Sequence, residues 1–197
     1  MSARDRDPGV KRSPTLTLVG VFVVVFFLQT LVGLLVAPAA LFALSQPVVV
    51  RPWTLVTSVY AHGSVGHLLA NSVALLVVGL FLERQTSRAR FHAFFLTTGI
   101  LSGLAQVWVG GLVGPPNRVL GASGAIFALV GYVLAGNRVS ESVLSSVPLS
   151  PRAQLLGFAL VAVAVTLATA GPGVALVAHF TGLLLGLVAG RAHLLRT

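Results

Sequence analysis

The sequence predicts an all-α, polytopic membrane bundle of six transmembrane helices, and three observations carry that expectation. Hydrophobic residues make up 56% of the 197-residue chain and charged residues only 9%, with a mean hydropathy of +0.96; a soluble domain carries about 25% charged residues. The apolar residues gather into six runs, roughly Thr15–Ala37, Gly66–Leu82, Phe91–Val113, Gly121–Asn137, Ala153–Ala170 and Val174–Gly190, each near the ~20 residues that a helix needs to cross a bilayer. The cations sit at the ends of these runs, as topology requires, and the runs lack the alternation of barrel strands.

Taken in order, the first run follows Arg4, Arg6, Lys11 and Arg12 and superficially matches a signal peptide. It is longer than the ~7–15 residues of a signal h-region, so it is expected to be a retained span. The chain then divides into a short N-terminal tail (1–14), a six-span core (15–190) and a short C-terminal tail (191–197). The first connection, roughly Pro38–Tyr60, is long enough for short interfacial helices. Span two opens with His62, His67 and Asn71 and closes at Glu83, a helix-end hydrogen-bond partner or an interface anchor beside Arg84. Pro115-Pro116 ends any helical continuation of span three. Span four is short, so its start is expected below the membrane surface, where irregular backbone is tolerated only beside protein or water. Span five is poor in large residues around Ala159–Ala170, and Gly171-Pro172-Gly173 before span six has the composition of a lid.

Orientation follows from the positive-inside rule. With the N-terminus inside, all thirteen basic residues except Arg51 and Arg118 fall on the cytoplasmic side. Both termini are then cytoplasmic in a multi-pass cell-membrane protein. The net charge of +9 is thereby explained without nucleic acid, whose binders gather their cations into a patch or stripe.

This topology brings the polar residues to one depth. Spans two, four and six begin at the outer face, with His62, His67 and Asn71 at the start of one and Ser123 at the start of another. His179 lies roughly 8 Å into the third, at 1.5 Å per residue. Intramembrane ionisable groups are functional candidates by default, and a serine beside an imidazole is equipment for acyl transfer. Small residues let helices approach closely in lipid: Gly182, Gly186 and Gly190 on span six face the prospect of Gly124, Ala128, Gly131 and Ala135 on span four. Phe127, one turn below Ser123, is placed to pack on the imidazole. Each piece has a plainer reading. Gly121-Ala122-Ser123-Gly124 is ordinary packing, His179 an interhelical hydrogen-bonding group, and His67 with Asn71 a polar seam.

In combination these motifs resemble the rhomboid family of intramembrane serine proteases. The resemblance rests on Trp53 in the first connection, His62, His67 and Asn71 in span two, Gly79 and Glu83 at its end, Gly121-x-Ser123-Gly124, and Ala178-His179-x-x-Gly182 with Gly186. It implies Ser123 as nucleophile and His179 as general base, a dyad with no aspartate. It also implies His67, Asn71 and the Ser123 backbone N–H as oxyanion donors, with His62, Gly121, Phe127 and Gly182 in support. Two departures concern the periphery. Thr54 follows Trp53 where many members have arginine, and Phe127 stands where some have tyrosine. The implied partners are transmembrane protein substrates in the lipid bilayer, with lateral access near spans two and five; the oligomeric state is open. No metal or cofactor is expected, and a chain without cysteine has no thiolate ligand.

Three other functions compete. A catalytically inactive rhomboid-like protein would bind transmembrane clients, but such relatives usually lack the serine or histidine. A b-type haem bundle would use facing histidines and leaves Asn71 and the serine motif without a purpose. A secondary transporter would be expected to show internal repeats, and none is convincing.

Overall fold

The computed structural model describes residues 13–113, 118–137, 142, 149–171 and 173–197. Six principal helices follow one another: α1 (Pro14–Val32), α2 (Val65–Leu82), α3 (Arg88–Ala105), α4 (Ser123–Ala135), α5 (Pro151–Ala168) and α6 (Leu176–Arg191). Among the described residues there is no strand, only an isolated antiparallel bridge between Leu44 and Val119. The cations and aspartates of the N-terminal tail, Pro115-Pro116, Arg138 and Pro172 lie outside the described residues.

Serine starts four of the helices for a common reason. The Oγ atoms of Ser13, Ser64, Ser87 and Ser150 accept the amide hydrogens of Leu16, His67, Arg90 and Ala153, satisfying N–H groups that the first turn leaves unpaired. Pro14 and Pro151 occupy first positions, where no N–H is needed. The two remaining helices, α4 and α6, have Ala122 and Ala175 at their N-cap positions and so lack a side-chain cap.

Four helices are long and apolar enough to cross a membrane: α1, α2 with its short extension to Gln85, α3 with its extension to Gly110, and α5. The other two expected spans are shorter apolar helices. With 13 and 16 residues, α4 and α6 reach only ~20 and ~24 Å, less than the ~30 Å hydrocarbon core. Both start two residues into their runs, α4 after Gly121, which has φ +129°, and α6 after Gly173, with φ +74°, and α4 also ends two residues before Asn137.

The first connection holds the short helices Ala39–Phe42 and Thr54–Tyr60 and a single 3-10 turn, Val48–Val50. Its arginine precedes the tryptophan rather than following it. Arg51 donates to the Ala40 carbonyl at 2.6 Å and to Ser45 Oγ at 3.1 Å, Trp53 Nε1 donates to the Leu41 carbonyl, and buried Thr54 donates to the Arg51 carbonyl. At the opposite end, Glu83 accepts Ser13 Oγ–H at 2.7 Å and Thr15 N–H at 3.1 Å, joining the end of α2 to the start of α1.

The core lies between α1, α2, α3 and α4, around Phe22, Leu75, Phe91, Phe95 and Leu129. The most extensive helix contact is α4 against α6. A Cβ on Gly182 would collide with the Gly124 carbonyl, and one on Gly186 with that of Ala128. The two backbones therefore meet directly along the stripe of small residues. By contrast α5 rests chiefly on α6 and buries little beyond Ala162 and Thr166.

Candidate active site

Three helix starts converge on one cavity of about 450 Å³, lined by His67, Asn71, Ser123, Phe127, Gly173 and His179 among others. The α4–α6 contact sets its floor. Ser123 is the first residue of α4, one position before Gly124, whose carbonyl lies against Gly182. His179 lies in the first turn of α6, one helical turn before Gly182.

The imidazole of His179 is fixed by packing. Phe127 stacks on it with ring centroids 4.3 Å apart and planes 25° from parallel. Its Nδ1 is buried without a hydrogen-bond partner among the described residues, which leaves Nε2 as the nitrogen open to the cavity. Ser123 and His179 share the cavity without a direct hydrogen bond between them; such bonds are commonly long before substrate binds.

Opposite them, His67 and Asn71 stand one turn apart on α2. Asn71 Nδ2 donates to the His67 carbonyl at 3.0 Å, and an amide nitrogen carries a second hydrogen. The His67 ring lies against Gly121: a Cβ there would meet its Cε1 at 2.7 Å and its Nε2 at 2.8 Å. With φ +129° as well, Gly121 is required both by conformation and by space. His62 is fully buried and meets His67 edge-on, with centroids 5.1 Å apart. Its pKa is pushed down from 6.5 to about 4, by burial first and by His67 second, against the opposing effect of the Tyr60 carbonyl. The ring is therefore neutral at neutral pH.

Two glutamines escaped the sequence reading. Gln29, buried on α1, holds the His62 backbone from both sides, its Oε1 accepting the N–H at 3.0 Å and its Nε2 donating to the carbonyl at 3.3 Å. Gln106 opens a five-residue π turn after α3, and its Oε1 accepts the Ala178 N–H at 3.1 Å. It thus supplies, from another helix, the cap that α6 lacks. Their only sequence signal was a carboxamide inside an apolar run, which is costly unless hydrogen-bonded. The serine motif, the histidines and the glycine stripe carry stronger signals.

The family model for the rhomboid domain matches residues 50–196. The chain belongs to the rhomboid family. Among similar curated proteins, rhomboid protease GluP of Bacillus subtilis is 37% identical over 89 residues, covering 44% of this chain and 17% of that protein. RHOMBOID-like protein 4 of Arabidopsis thaliana is 31% identical over 73% of this chain and 34% of its own length. Rhomboid protease GlpG of Serratia proteamaculans is 28% identical over 88% of this chain and 60% of its own. The chain thus spans less than two thirds of each of these relatives. Family membership and the apolar helices make it a membrane-embedded, multi-pass protein.

Proposed function

We propose that this rhomboid-family chain is an intramembrane serine endopeptidase that hydrolyses peptide bonds in or near transmembrane segments of membrane proteins. The single observation that carries the reading is the convergence of Ser123, His179, His67 and Asn71 on one cavity. Relatives named as rhomboid proteases support it.

In this reading Ser123 Oγ attacks the scissile carbonyl carbon while its proton passes to His179 Nε2. Negative charge gathers on the former carbonyl oxygen, where the Ser123 N–H, the Asn71 amide and the His67 ring N–H donate to it. Collapse of the tetrahedral intermediate breaks the C–N bond, and the imidazolium returns its proton to the leaving amine. Water then attacks the acyl-enzyme with His179 again as base, releasing the new carboxyl terminus and restoring Ser123. A dyad suffices because Phe127 and the α6 backbone orient the imidazole, the orienting task that an aspartate performs in a triad.

The positive-inside pattern supports a six-span core over residues 15–190, with both termini cytoplasmic and the cavity toward the outer face. The shortness of α4 and α6 agrees with a site below the membrane surface. The light packing of α5 and the position of Gly173 on the cavity wall make them the parts best suited to admit substrate from the side.

The test is cleavage of a panel of model transmembrane substrates by reconstituted wild type, Ser123→Ala and His179→Ala, together with labelling by a fluorophosphonate probe. Wild type is expected to cleave and to be labelled at Ser123, with both variants inert yet folded. Equal cleavage by wild type and Ser123→Ala would remove the serine from the mechanism. A wild type that neither cleaves nor labels would favour client binding without catalysis.

A further inference from the structure

Two arginines stand apart from the chain's other cations. Arg51 lies between α1 and α2 and Arg118 between α3 and α4, so the order of the helices puts both at the same end of the bundle. The structure brings them to one cavity of about 290 Å³, shared with Ser45, Gln46, Val107 and Trp108. Nothing in the sequence pairs these two positions. The bridge between Leu44 and Val119 does, by joining the two connections with reciprocal 2.9 Å hydrogen bonds.

Among the described residues no carboxylate is placed to neutralise them. The acidic residues are Asp5, Asp7, Glu83 and Glu141. Glu83 is held at the opposite end by Ser13 and Thr15, the aspartates precede α1, and Glu141 belongs to the connection after α4. The hydrogen bonds of Arg51 go to neutral oxygens, and Arg118 is exposed. Two guanidinium groups with no carboxylate partner among the described residues thus line one cavity, a setting that favours an anion.

The surroundings indicate where that anion comes from. Both tryptophans of the chain lie at this end, Trp108 on the cavity wall and Trp53 in the first connection, 60% and 48% exposed. Exposed indoles concentrate at the headgroup level of a bilayer. Leu112, 86% exposed, also borders the cavity and offers apolar surface to an acyl chain. Guanidinium groups suit phosphate oxygens, which they bind through paired N–H donors.

We propose that this cavity binds the phosphodiester of a membrane phospholipid and prefers a headgroup of net negative charge. A zwitterionic headgroup brings its own cation toward the two arginines, whereas an anionic one does not. The bound lipid ties the first connection to the strand of backbone that continues through Leu120, a wall residue of the candidate active site, into α4. It therefore buttresses that site without entering it.

The experiment is native mass spectrometry of the full chain extracted from nanodiscs that contain phosphatidylglycerol and phosphatidylcholine in equal amounts. Wild type is expected to retain phosphatidylglycerol in preference. Arg118→Gln should lose about fivefold of that preference, the factor corresponding to one arginine's attraction to an anionic surface. Arg118→Lys should keep most of it, and Arg88→Gln, at the opposite end, should keep all of it. Unchanged unfolding midpoints show that the variants are folded. Equal retention of the two lipids by wild type, or the same retention by Arg118→Gln and Arg88→Gln, overturns the proposal. Displacement of the lipid by millimolar inorganic phosphate overturns the lipid as source and makes the site one for a free anion.

Discussion

Phe127 lies nearly parallel to His179 at a centroid separation of 4.3 Å, and this contact takes the place of a hydrogen-bonded orienting group. The imidazole Nδ1 has no partner among the described residues, so the ring's angle depends on apolar contact. Removing the phenyl ring in Phe127→Ala should lower kcat by about 2- to 13-fold, as loss of ~0.5–1.5 kcal/mol of ring–ring contact implies. Phe127→Tyr should restore the rate, as measured by steady-state cleavage in liposomes.

Asn71 and His67 face the serine from α2, and in the proposed mechanism their donors serve only the transition state. Asn71→Ala should therefore reduce kcat by about 10²–10³ with little change in KM. A matching rise in KM at constant kcat would instead assign Asn71 to substrate binding.

Gly186 lies two turns from His179 and touches no residue of the site, but a methyl group there would meet the Ala128 carbonyl. Backbone cannot yield as a side-chain tip can. Gly186→Ala should destabilise the bundle by about 1–3 kcal/mol, seen as a lower unfolding midpoint in detergent. Gly157, with nothing near its Cβ position, should accept alanine without loss.

Gln106 tests the cap that reaches α6 from outside. Gln106→Ala leaves the buried Ala178 N–H without its acceptor, at a cost of about 1–3 kcal/mol. A leucine at 106 should do no better, since it restores volume without an acceptor. Hydrogen exchange at Ala178 should accelerate in both variants while exchange in α2 is unchanged.

His62 gives a pH dependence with a definite sign. Its folded pKa, about 4, lies below the ordinary 6.5, so the unfolded chain binds the proton first as pH falls. Its contribution to stability is complete above the ordinary value and is lost as pH drops from there through 4. Unfolding midpoints measured from neutral pH downward should fall less steeply for His62→Gln than for wild type.

The legible part of the site was the part with a cost. A histidine or a nucleophile in an apolar run demands a reason, which makes Ser123, His179 and His67 candidates; Asn71 joins them through its shared depth and the family resemblance. Phe127 followed from helical spacing alone. Gln29 and Gln106 passed unnoticed because a single carboxamide in a span is cheap once bonded, and the bonds they make join residues 33 and 72 positions apart. The expectation of six spans came from hydrophobicity, which counts apolar residues whether or not they are helical. Gly121, Ala122, Gly136 and Asn137, and Val174 and Ala175, belong to the expected runs but lie outside α4 and α6, so those two helices are shorter than their runs.

By itself the sequence determined the all-α membrane class, the succession of apolar runs and the small-residue faces of α4 and α6, because these are periodic properties of single segments. Only the tertiary structure decided which atoms meet. It put Gly121 against the His67 ring, gave Gln106 to the α6 start, and brought Arg51 and Arg118 to one cavity. Such contacts depend on how neighbouring helices are rotated and how far they slide past one another. That is settled by backbones closing on glycine and by buried polar groups finding partners, and neither is written in the pattern of any one segment.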